Sequence, residues 1–204
     1  LCRGFEETYG LPLYALSLQN EPAFSQPYDS CTYTPEELAA VTAEVGAAFE
    51  RRDVATRIMG PEDVGPALAD RYLGYVEAVT DEAGDHLELF CIHGYAGDGT
   101  SPADERAAWT NLADRLAPYD RELWMTETSG EAPDTWAGAL ATARHLHDAL
   151  VYGECSAWLY WQLTFPKDRG HEALCIDGEP TPKYYAVKHY ARYVRPGAVR
   201  IGVE

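Results

Sequence analysis

Along most of the chain, short apolar runs alternate with longer stretches in which apolar residues recur every three or four positions. The runs are LYALSL (14–19), TRIMG (56–60), LELFCIHGY (87–95), ELWMTE (122–127) and SAWLYWQL (156–163). Their length and their aliphatic and aromatic content predict β-strands. Between them, EELAAVTAEVGAAFERR, ALADRYLGYVEAVTDEAG, DERAAWTNLADRLAPY and TWAGALATARHLHDALVYG carry the helical period, and YYAVKHYARYV adds a last helix. Thr34-Pro35-Glu36-Glu37 gives the first of these an N-cap, a first-turn proline and early carboxylates. The opening LCRGFEETYG reads as a last helical turn, with Phe5 and Tyr9 four apart and Gly10 as its cap.

Strand–helix alternation at this spacing implies right-handed crossovers and a parallel α/β sheet, either doubly wound or a (β/α)8 barrel. Buried parallel strands read as near-continuous apolar runs, as AWLYWQL and LELFCI do. No GxGxxG opens a helix after a strand, and the glycines of GYAGDG (94–99) are placed differently, so a dinucleotide fold has no support. A full barrel takes about 250 residues and eight units. Five predicted strands in 204 residues amount to the C-terminal five-eighths of one, and RPGAVRIGVE predicts the start of a further strand.

Charge narrows the function classes. Sixteen basic residues face 33 acidic ones, a net charge of −17, and such a surface repels the phosphates of nucleic acids and anionic membranes. No nucleic acid partner is expected. No apolar run approaches the ~18 residues of a transmembrane segment, and no signal peptide opens the sequence. The five cysteines lie at scattered spacings without a CxxC pair, which predicts buried free thiols, with one disulfide involving Cys31 as the alternative. His145 and His147 stand two apart on a helix and face different ways, a poor metal pair. There is no HExxH and no GxSxG, so neither a metal nor another cofactor is implied.

The candidate chemistry sits where the predicted strands stop. LSLQNEPAF (16–24) builds a strand as far as Gln19 and then breaks it with Asn20-Glu21-Pro22, residues that strands avoid. In parallel α/β folds the site lies at the carboxyl ends of the strands. Those ends present Asn20-Glu21, Glu62, His93-Gly94-Tyr95, Thr126-Glu127 and Trp161-Gln162. Opposed carboxylates with aromatic walls suit glycoside hydrolysis: one acid protonates the leaving oxygen and the other stabilises or attacks the oxocarbenium-like centre. The plainer alternative is that these carboxylates cap helices or pair with arginine, and for Glu62 and Asp63 the helix cap is the expectation.

These segments are also the ones in which the chain resembles glycoside hydrolase family 30. They are YALSLQNEPAFSQPYDSCTYTPEEL, RIMGPED, CIHGYAGDG, LWMTETSG, AWLYWQL and PTPKYYAVKHYARYVRPGAVRIG, which follow the family's order over nearly the whole chain. The resemblance implies a (β/α)8 TIM barrel with about strands four to eight present. Residues 1–192 would form that partial catalytic barrel, and 193–204 a linker and first strand towards a side β-sandwich. It implies a glycosidase acting on carbohydrate with retention, relatives being glucosylceramidases, xylanases and β-1,6-glycanases. Glu21 would be the acid/base, protonated before the first step, and Glu127 the ionised nucleophile. Asn20 would bind the sugar 2-hydroxyl, Tyr95 orient the nucleophile, His93 lie beside it, and Trp161 form an aromatic platform under the sugar.

The chain departs from the family in lacking strands one to three and the rest of the side domain, so weak or no activity in isolation is expected. The alternatives to a working glycosidase are a glycan-binding relative without turnover and an inactive fragment of a longer glycosidase. Lys167 and Arg169 in TFPKDRGHEAL leave room for a glucuronic acid decoration on the substrate. Polymeric substrates imply an extracellular or secreted protein, with a cytoplasmic one as the alternative.

Overall fold

The computed structural model describes residues 1–96, 100–130, 135–166 and 172–202. They group into two units. The first holds Leu1–Glu127 with Asp148–Leu159, and the second Thr128–His147 with Tyr160–Glu204.

The first unit is built on a parallel sheet of β1 (Ala15–Ser17), β2 (Arg57–Asp63), β3 (Leu87–His93), β4 (Leu123–Glu127) and β5 (Ala157–Trp158). The strands neighbour one another in chain order, each parallel to the next. A doubly wound sheet reverses its order at a switch point. Its absence within these five strands decides between the two architectures in favour of a half-barrel. The connecting helices are α2 (Pro35–Arg51), α3 (Ala69–Ala83) and α4 (Pro102–Leu116), and α1 (Cys2–Tyr9) precedes the sheet.

Local sequence accounts for the helix limits. Thr34 accepts from the Glu37 backbone while Glu37 reaches back to the Thr34 N–H, a complete capping box. Ser101 caps α4, and α1 ends on Gly10 at φ 67, where a glycine carries no Cβ penalty. The core joins Tyr72, Val76 and Val79 of α3 to Phe90 and Ile92 of β3, Trp109 and Leu112 of α4, and Met125 of β4. Each such side chain contributes about 1.5–3 kcal/mol when fully buried. The phenol of Tyr72 is satisfied inside that core by the Cys91 carbonyl at 3.1 Å.

The run SAWLYWQL forms less strand than its composition predicts, since only Ala157 and Trp158 pair with β4. The Leu159 N–H still reaches Met125 O at 2.9 Å, but Leu159 and Leu163 are exposed. Further along, the Leu163 carbonyl accepts from the Cys175 N–H of the second unit at 2.8 Å, so the end of the run leaves this sheet.

The second unit contains a small sheet missed in the sequence: β6 (Thr164–Phe165), β7 (Cys175–Ile176) and β8 (Glu179–Pro180). Asp177-Gly178, both at positive φ, turns β7 into β8, the two-residue Asp-Gly signal of a tight hairpin. α5 (Trp136–Val151) begins in this unit and ends in the first. α6 (Pro182–Tyr193) carries Lys183, fully buried, whose ammonium donates to the Gly130 carbonyl and to Tyr160 Oη. Residues 194–202 run as turn and coil with their side chains exposed. All five cysteines are free thiols, and Cys31 is exposed.

Candidate active site

The carboxyl ends of β1 to β4 bring five side chains of the first unit together. Glu21, four residues beyond Ser17 at the end of β1, has a left-handed backbone at φ 45, and Glu62 near the end of β2 has φ 61. Such conformations cost on the order of 1–3 kcal/mol in a residue with a side chain and persist where the surroundings impose them. Here the surroundings are visible: the Glu21 N–H donates to the Glu62 carbonyl at 3.0 Å, and the Phe24 N–H to the Glu21 carbonyl at 2.9 Å. The two turns stand side by side and hold both carboxylates at the strand ends.

His93, the last residue of β3, has no exposure and sits among three carboxylates. Its Nδ1 lies 2.9 Å from Glu21 Oε1 and 3.7 Å from Glu127 Oε1, and its Nε2 lies 3.9 Å from Glu62 Oε1. Tyr95 donates its hydroxyl to Glu127 Oε1 at 2.9 Å. The backbone that carries Tyr95 is fixed from two sides. Its N–H bonds to Val64 O at 3.2 Å, and a Cβ at Gly65 would meet the Tyr95 carbonyl oxygen at 2.2 Å. Gly65 is therefore required by close backbone approach; its φ of 173 is ordinary extended chain.

One oxygen of Glu21, one of Glu127 and a nitrogen of His93 all lie within 4.8 Å of one another. Burial works against a charge on His93, but Glu21, Glu62 and Glu127 outweigh it and raise the imidazole pKa to about 9. The ring thus keeps its proton at neutral pH. With that proton in place, both ring nitrogens are donors directed at carboxylates. Burial also pushes the Glu127 carboxyl above its ordinary range. The His93 charge and the Tyr95 hydroxyl hold it back without cancelling that push, to which Glu21 and Glu62 add. For Glu62 burial again pushes upward, but His93 and the hydroxyls of Ser17 and Thr126 prevail and hold it below its ordinary range.

The residues expected from sequence fall into three groups. Glu21, His93, Tyr95 and Glu127 meet as described, with His93 both buried in the sheet and in contact with the carboxylates. Asn20 is exposed and lines, with Ser17, Gln26 and Glu62, a cavity of about 540 Å3. Trp161 belongs to the second unit, where the residue is 47% exposed and is not core packing. Lys167 and Arg169 lie outside the described residues.

Sequence reasoning missed two residues. Gln26 donates its amide to Glu21 Oε2, and no signal in the loop sequence points to it. Glu62, expected as a helix cap, instead faces His93. Asp63 caps no helix either: it accepts from the Val64 N–H at 2.8 Å and pairs with Arg71 of α3 at 2.6 Å, while α3 begins without a side-chain cap. The left-handed turn at Glu62 separates the fates of these two neighbours.

A partial parallel barrel with paired glutamates at its strand ends defines a class, and the comparisons specify it. No protein-family model matches the chain. It is 26% identical over 204 residues to the glucuronoxylanase XynC of Bacillus subtilis (strain 168), across 97% of this chain and 43% of that relative. The chain thus spans less than half the length of the curated relative it matches. A GH30 endoxylanase from Clostridium papyrosolvens C71 superposes with a TM-score of 0.71 at 24% identity, covering 95% of this chain and 45% of the other. SrfJ from Salmonella typhimurium gives 0.74 at 23% identity, covering 94% and 45%. The resemblance to glycoside hydrolase family 30 is borne out: the chain is similar to proteins of that family over somewhat less than half their length and shares that part of their barrel fold.

Proposed function

We propose that this chain carries the catalytic carboxylates of a retaining β-glycoside hydrolase, with Glu21 as acid/base and Glu127 as nucleophile. The observation that carries the reading is the approach of their oxygens to within 4.8 Å. Retaining pairs stand about 5–5.5 Å apart, whereas inverting pairs leave roughly 6.5–9.5 Å for a water.

In the first step a Glu127 oxygen attacks the anomeric carbon. The glycosidic C–O bond breaks, and Glu21 gives its proton to the leaving oxygen. In the second, water attacks the same carbon, Glu21 takes a proton from it, and the bond to Glu127 breaks with retention. Tyr95, donating to Glu127 Oε1, orients the nucleophile, and His93 places a positive charge 3.7 Å from it. Once Glu127 is esterified its charge is gone, so the acid at Glu21 ionises more easily and can serve as base. Asn20 is assigned to the sugar 2-hydroxyl. Since two of the similar proteins named above are xylanases, β-linked xylan is the substrate to try first, and a polymer of that kind is met outside the cell.

A 2-deoxy-2-fluoro β-xyloside with a good leaving group should trap the intermediate. Intact mass is expected to rise by one glycosyl group, located on the peptide of Glu127, and Glu127→Gln should abolish both labelling and hydrolysis. Label on another residue, or an active Glu127→Gln, would overturn the assignment.

A further inference from the structure

Glu62 is the buried acid at the strand ends to which the double displacement gives no task. Its side chain is 12% exposed, and its Oε1 faces Nε2 of His93 at 3.9 Å. That nitrogen is buried and makes no hydrogen bond among the described residues. The other ring nitrogen is engaged with Glu21 at 2.9 Å, with Glu127 at 3.7 Å. A neutral imidazole has a single N–H. Donated to Glu21, it would leave the Nε2 lone pair aimed at a carboxylate, and donated to Glu62 it would leave the Nδ1 lone pair aimed at two. Carboxylates facing both ring nitrogens fit an imidazolium.

Resting on the glycosidase reading, we propose that Glu62 is a positioning residue that acts through His93, anchoring the imidazole as a cation between Glu21 and Glu127. The consequence is a charge balance. Glu62 and His93 together form a neutral pair, through which the ring orients Glu21 from Nδ1. Without the Glu62 charge, no anion among the described residues would face Nε2, and Glu127 at 3.7 Å would be left to balance a cation 2.9 Å from the acid/base.

The other groups around this pair do not supply the balance. From β3 and the turn after it come the Cys91 thiol, which burial pushes well up and keeps neutral, and Tyr95, whose ring lies 5.8 Å from that of His93 and whose proton goes to Glu127. From α3 come the neutral Tyr72 and Arg71, the latter paired with Asp63. Ser17 and Thr126 offer Glu62 hydroxyls only. The pKa of about 9 at His93, raised by Glu21 and Glu62 against burial, agrees with this arrangement.

The test is Glu62→Gln, nearly isosteric and uncharged. Imidazole NMR, with His93 assigned through His93→Asn, should show the His93 titration midpoint falling by about one pH unit or more, the usual effect of removing a neighbouring charge. The alkaline limb of kcat/KM on an aryl β-xyloside should move to lower pH with it. Every proton near a lost anion is held less tightly, so the sign is the same whether Glu21 or His93 governs the limb. If Glu62→Gln does not fold, Glu62→Asp, which keeps the charge at a greater reach, should move both readouts the same way by less. An unmoved His93 midpoint overturns the proposal, as does a midpoint that moves while the alkaline limb stays. A midpoint that falls in a protein hydrolysing no β-glycoside supports the anchoring of His93 and sinks the glycosidase reading instead.

Discussion

β3 has an imidazole at each end, and the two ends differ in almost everything but composition. At its start His86, the last residue before the strand, faces Glu50 at 3.8 Å, with the histidine side chain 26% and the glutamate 73% exposed. That end opens on a cavity of about 530 Å3 lined by Glu50, Asp53, Asp85 and Glu88. At its finish His93 is fully enclosed and meets three carboxylates. An acidic rim with a histidine is thus present twice. Burial makes the difference, because water screens the first set and leaves the second to neutralise itself.

The comparison breaks most sharply at the histidines. His93→Ala leaves one buried and two partly buried carboxylates without their cation and should cost about 3–5 kcal/mol in urea unfolding. His86→Ala should cost under about 1 kcal/mol, as exposed pairs do. Equal losses would mean that the cluster at the strand ends is as well solvated as the opposite rim.

The next effect is in pH. His93 holds its proton to about 9 when folded, against the ordinary value of 6.5. Its contribution is therefore fully present below pH 6.5 and is lost as pH rises through about 9. The difference amounts to about 3 kcal/mol at one pKa unit per 1.4 kcal/mol. Urea midpoints from pH 6 to 10 should follow that fall, and His93→Asn should remove it.

Smaller effects sharpen the contrast at the glycines beside each end. An added Cβ at Gly65 meets the Tyr95 carbonyl oxygen at 2.2 Å, backbone that cannot turn aside. Gly65→Ala should cost about 1–3 kcal/mol. At Gly46 the obstacle is the side chain of His86, also at 2.2 Å. That ring is partly exposed, and alanine in a helix gains back about 1 kcal/mol over glycine, so Gly46→Ala should cost less. Least of all, Glu50→Gln should change stability by no more than about 0.5 kcal/mol. A larger change would mean that Glu50 acts on more than His86.

Much of this was legible in the chain. The helical period predicted α2 through α4 within a few residues, and Gly10 and Thr34 were legible as caps of α1 and α2 because each acts on its own neighbours. The breaks after Gln19 and at Glu127 pointed to the strand ends because Asn, Glu and Pro are poor strand formers. SAWLYWQL misled because propensity does not say which strand a residue joins: Ala157 and Trp158 pair with β4, whereas the Leu163 carbonyl bonds to Cys175 of another sheet. The Asp177-Gly178 hairpin carried a readable signal that was passed over among longer patterns.

What the sequence by itself determined is the order of strands and helices and which residues stand at the strand ends. Those follow from side-chain shape and local hydrogen bonding within a few positions. The tertiary structure decided what each of those residues does. Glu62 and Asp63 are neighbours with the same charge, yet one turns to a histidine on the next strand and the other to an arginine on the following helix. A left-handed turn and the burial of His93 separate them, and both depend on contacts between segments far apart in the chain, which no local pattern encodes.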